Sequence, residues 1–60
     1  MVTISEQLAC AKREVGMRKR VYPRWVEANR MTRAKADAEI AAMEAIVATL
    51  EEIDQRGRLL

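Results

Sequence analysis

Tyr22-Pro23-Arg24-Trp25-Val26-Glu27-Ala28-Asn29-Arg30-Met31-Thr32-Arg33 decides the fold. It is either the middle of one long helix or the end of one helix and the start of another. Asn29 is suited to the left-handed conformation that ends a helix. Thr32 is a natural cap for the helix that follows. A short turn over residues 29–32 therefore separates two helices. Pro23 has two readings. It marks a bend inside the first helix, or it opens a new short helix, where its missing N–H costs nothing. The apolar stripe favours the first, because Val15 and Tyr22 lie one heptad apart and stay in phase across the proline.

Toward the N-terminus, Thr3-Ile4-Ser5-Glu6 has the Thr-x-x-Glu spacing of a capping box. Ile4, Leu8, Ala11, Val15, Tyr22 and Val26 then recur at helical spacing, which predicts a helix over about residues 4–28. Gly16 weakens its middle by ~1 kcal/mol relative to alanine. Toward the C-terminus, Ala36, Ile40, Met43, Val47 and Leu50 form a coiled-coil-like seam flanked by Ile46 and Ile53. This predicts a second helix over about residues 33–56, with Gly57 as its stop. Each helix is roughly 24 residues, or ~36 Å. Equal helices joined by a tight turn give an antiparallel hairpin, so the chain is all-α and a single domain over residues 1–60.

Both helices carry more apolar surface than one mutual contact covers. Cys10, Met17, Val21 and Ala28 form a second strip on the first helix, about 120° from the first strip. Ala38, Ala41, Ala45 and Ala48 make the back of the second nearly all small. Pairing of two hairpins into a four-helix bundle would bury such strips, and a homodimer is expected. Length points the same way, since below about 70–80 residues a single core rarely supplies more than ~3–5 kcal/mol.

The other routes to stability are closed by composition. Cys10 is the only cysteine, so there is no intrachain disulfide, and it reads as a small buried apolar side chain. With no histidine, a zinc site of the usual kind is excluded, and no cofactor is expected. No Gly-rich phosphate loop is present, and Ser5 reads as a capping-region residue. Glu39, Glu44, Glu51 and Glu52 lie on a solvated helix that offers no cavity to shift their pKa values. The chain is not expected to be an enzyme. No apolar run reaches the ~20 residues that span a bilayer. Met1-Val-Thr-Ile-Ser-Glu6 lacks the basic and apolar regions of a signal peptide, so a cytoplasmic protein is expected.

The net charge of +2 hides a division. Residues 1–35 hold nine Lys/Arg and three Asp/Glu, whereas residues 36–60 hold two Arg and six Asp/Glu. Such a chain folds back on itself or pairs head-to-tail with a copy. Arg18 and Glu39 each interrupt an apolar arc and are expected to form an ion pair that fixes register, within a chain or across a dimer. Glu14, one turn before Arg18, competes as its local partner. Projected on the helix, Arg13, Arg20 and Arg24 cluster away from the Leu8/Val15 stripe, with Lys12 and Lys19 in a neighbouring row. Tyr22 continues the core stripe, and Trp25 lies at its margin as a packing cover or a binding anchor.

Met17-Arg-Lys-Arg-Val-Tyr-Pro-Arg-Trp-Val26, followed by Arg30-Met-Thr32 and by Glu39-Ile-Ala-Ala-Met-Glu-Ala-Ile46, resembles a group of small bacteriophage and prophage proteins. The resemblance spans roughly residues 8–50. It implies a phage or prophage accessory protein acting in the bacterial host cytoplasm, and it carries no assigned activity or functional residues.

These readings converge on a non-enzymatic interaction protein. Arg13, Lys19, Arg20, Arg24 and Trp25 are the candidate contacts to a protein partner, for instance a host enzyme whose nucleic-acid site is occupied. One alternative is direct nucleic-acid binding by the same basic face. A helix-turn-helix reader is disfavoured, for lack of a third helix and the usual turn. The other alternative is a purely structural role, in which the charge division drives assembly.

Overall fold

A computed structural model describes residues 1–59, with side chains through Arg58. It contains two helices, α1 over Ile4–Glu27 and α2 over Arg33–Leu59, packed against each other as a hairpin.

The first turn of α1 is closed by the capping box. The Glu6 amide donates to the Thr3 hydroxyl at 3.1 Å, and the Thr3 amide donates to the Glu6 carboxylate at 3.3 Å. Two of the orphan amides of the helix start are thereby satisfied. Pro23 lies inside α1, and the helix passes through it. Its missing N–H removes one ladder bond, a cost of ~3 kcal/mol in an isolated helix. The phase of the apolar stripe is kept, so Tyr22 and Val26 still face α2.

The end of α1 is a Schellman motif. Asn29 has φ 59°, the left-handed conformation expected of it. The Arg30 amide donates to the Trp25 carbonyl at 2.8 Å and the Asn29 amide to the Val26 carbonyl at 3.1 Å. Thr32 caps α2, its hydroxyl accepting from the Lys35 amide at 3.1 Å. Local backbone chemistry alone thus reverses the chain.

Two expectations are corrected. Gly57 does not stop α2, which continues to Leu59. Glycine costs only ~1 kcal/mol in a helix, and two i,i+4 pairs flank it: Arg56 with Glu52, and Arg58 with Asp54 at 3.1 Å. Both arginines also lie in the last turn, where a cation complements the helix dipole. Cys10 is exposed rather than buried. It belongs to the strip of α1 that flanks the α2 contact, where nothing covers it.

The contact between the helices is thin. Only Ala11, Tyr22 and Ala36 are buried among the described residues. Small residues at Ala11 and Ala36 let the helices approach, and Tyr22 supplies the one large buried side chain. The molecule is a rod of 48 × 18 × 15 Å with a radius of gyration of 14.1 Å. A compact domain of this length would have a radius near 10.4 Å, from roughly 2.2·N^0.38. At the open end, the Ser5 hydroxyl donates to Asp54 at 3.1 Å and ties the two helices together.

Candidate partner-binding face

The basic and acidic halves of the chain meet within one hairpin, and that meeting sorts the basic side chains into two sets. Along one flank, Lys12 lies 3.8 Å from Glu51 and Lys19 lies 3.1 Å from Glu44. A step of seven residues up α1 matches a step of seven down α2, as an antiparallel heptad register requires. These pairs are solvent-exposed and contribute little energy each. Their consequence is electrostatic: Lys19, expected among the partner contacts, already has a carboxylate.

On the other flank, Arg18 holds a denser arrangement. Its Nε donates to Glu14 at 2.9 Å, and its Nη1 donates to the backbone carbonyl of Glu39 at 2.8 Å. The same Nη1 stands 3.7 Å from the Glu39 carboxylate, which is also 3.0 Å from Lys35. Both expected partners of Arg18 are therefore engaged at once, with Glu39 reached inside the same chain. The bond to a mid-helix carbonyl is a contact that no sequence pattern signals.

Arg18 also lies over the Tyr22 ring, 5.8 Å from its centroid. Tyr22 in turn stacks on Trp25, with centroids 5.5 Å apart and planes 28° apart. Trp25 covers the turn end of the core and still leaves 39% of its surface exposed. It is both packing cover and available surface.

The hydrogen bond and charge of Lys35, with help from Arg18, hold the Glu39 carboxyl below its ordinary range against a smaller opposing effect of burial. The Arg18 guanidinium is raised above its ordinary value, first by its bond to Glu14. A carboxyl whose folded pKa is depressed adds stability above its unfolded value, about 4.3 for glutamate. That stability is lost as pH falls through the folded value. Thermal melts followed by circular dichroism should show a melting temperature that declines as pH drops below about 4.3, and Glu39→Gln should reduce that decline.

The second set of basic side chains has no such partners. Arg13, Arg20 and Arg24 are exposed, and none has a carboxylate within 4.0 Å among the described residues. They share the side of α1 that points away from α2, since their spacing of seven and four keeps them on one stripe. Arg30 and Arg33 are likewise free of carboxylates. They line an open depression of about 510 Å³ at the turn, beside Val26 and Met31. Neither stood out in the sequence, because both lie outside the helical projection that groups the other arginines.

A further feature lies on the Arg18 flank. Val2, Cys10, Ala11, Met43, Ile46 and Leu50, with Glu6, Gln7 and Glu14 along its α1 side, line an open groove of about 410 Å³. Ile46, in the groove, and Ile53, on the same side of α2 two turns on, are 47% and 41% exposed, high values for large aliphatic side chains. The two flanks of the hairpin therefore differ: one is an ion-pair ladder, the other mainly apolar around a neutralised charge network. Among the described residues, no cluster has the makings of a metal site, and no helix is long and apolar enough to cross a membrane. No family model, curated protein or solved structure matches this chain.

Proposed function

We propose that this chain is a non-enzymatic interaction protein, built as a homodimeric four-helix bundle, that binds an acidic surface of a protein partner through Arg13, Arg20 and Arg24. The observation that carries the reading is the sorting of charge. Lys12, Arg18 and Lys19 have carboxylate partners inside the hairpin, while Arg13, Arg20 and Arg24 have none. Three guanidinium groups along one helix face, each able to form paired hydrogen bonds with carboxylates, suit an acidic partner. A twofold dimer doubles the face.

Direct nucleic-acid binding is the rival use of the same arginines. It is disfavoured by the position of Trp25, whose ring stacks on Tyr22 rather than standing among the arginines as a platform for bases. The resemblance of roughly residues 8–50 to phage and prophage proteins supports an accessory role in a bacterial host.

The test is affinity capture from bacterial lysate, with Arg20→Glu/Arg24→Glu as the control. A protein retained by the natural chain and lost with the variant supports the reading, provided helix content is unchanged. Equal retention by both overturns it. Binding to generic duplex or single-stranded DNA, measured at about 50 and about 200 mM salt, decides the rival. A steep loss of affinity between them favours nucleic acid over a protein partner.

A further inference from the structure

We propose that the apolar flank of the hairpin, centred on Cys10, Met43, Ile46 and Leu50, is an isologous interface whose occupant is a second copy of this chain. The inference rests on the dimeric reading above and assigns it a face.

The exposed area sets the size of what is missing. The chain exposes 4745 Å² at a mass of 6.8 kDa. A compact monomer of that mass exposes roughly 3,950 Å², from 6.3·M^0.73. The excess is about 800 Å², which is the area one partner buries in a standard stable interface.

Charge selects the face. A twofold interface brings each surface against itself, so an uncompensated charge near the axis meets its own sign. The back of α1 carries Arg13, Arg20 and Arg24 without carboxylates and would repel its copy. The Lys12–Glu51 and Lys19–Glu44 flank consists of hydrated ion pairs. The outer face of α2, with Ala38, Ala41, Ala45 and Ala48, offers little area per residue. On the remaining flank, Glu14, Arg18, Lys35 and Glu39 form a balanced network of two cations and two anions. Around it stand the largest exposed aliphatic side chains of α2, Ile46 and Ile53. Glu6 also lines the groove and adds one carboxylate, so this flank combines area and hydrophobicity with less uncompensated charge than the three arginines on the back of α1.

The single thiol gives a direct test on the unaltered chain. Cys10 lines the groove and is exposed in the hairpin, so hairpin folding does not cover it and a second copy does. Its rate of reaction with a neutral thiol reagent should fall about tenfold or more as the protein is concentrated from about 1 to about 200 µM. In Cys10→Ala/Ala45→Cys, the thiol on the outer face of α2 should react at the same rate throughout. Sedimentation runs alongside. Dimers in which Cys10 stays equally reactive at all concentrations would overturn this face while leaving the dimeric reading intact. A monomer over the whole range would overturn both.

Discussion

Replacing Tyr22 by alanine should unfold the hairpin. Tyr22 is the only large buried side chain among the described residues, and it holds Arg18 on one side and Trp25 on the other. Truncating a buried aromatic typically costs about 3–5 kcal/mol. A single small core rarely supplies more than about that total. Ala11 and Ala36, the other buried residues, cannot close over the space, because neither has atoms beyond Cβ. Far-UV circular dichroism should therefore show loss of most helix content in Tyr22→Ala at concentrations where the natural chain is folded. Tyr22→Phe keeps the ring and both contacts, and should lose less than about 1 kcal/mol. Equal stability of Tyr22→Ala and the natural chain would mean that the helices do not depend on this contact.

The second large effect is expected at Ile46. In the hairpin alone, this side chain is 47% exposed, so about half of its surface is left for an interface to bury. Across a twofold interface the change occurs twice. Each copy forfeits burial of the roughly half of Ile46 that the hairpin leaves exposed, about 0.7–1.4 kcal/mol, and adds a desolvated carboxylate beside its symmetry mate. The dimer dissociation constant should rise at least about a hundredfold for Ile46→Asp, since 1.4 kcal/mol corresponds to a factor of ten. Ala45→Asp, one position away on the outer face, should leave association near that of the natural chain. Sedimentation equilibrium measures both. If the two variants dissociate alike, the effect is one of net charge and not of a specific face.

The parts of this structure that were legible in the sequence are those governed by backbone chemistry over a few residues. Thr3 and Glu6 specify the capping box by their spacing alone, and Asn29 and Thr32 specify the reversal between α1 and α2. The Arg18–Glu39 proximity followed from the same register, since a turn near residue 30 sets which levels of the two helices meet. What was not legible depends on which flank each side chain occupies once the helices pack. Cys10 has the composition of a core residue, but its angular position places it beside the α2 contact rather than in it. Lys19 looked free on α1, and only the packed register shows Glu44 beside it. Gly57 carried the usual mark of a helix end, yet the pairs made by Arg56 and Arg58 with residues one turn earlier carry α2 past it. The candidate face followed the same rule. Arg13, Arg20 and Arg24 were grouped from periodicity, whereas their lack of partners became clear only once α2 had taken the lysines and Arg18.

The central claim is that this hairpin folds as half of a dimer: its core holds three buried residues among those described, and one flank is open and largely apolar. Thermal unfolding followed across a wide range of protein concentration tests this most directly. If folding and pairing are coupled, mass action requires the melting temperature to rise steadily with concentration. A melting temperature independent of concentration, together with a folded 6.8 kDa species in sedimentation, would contradict the claim.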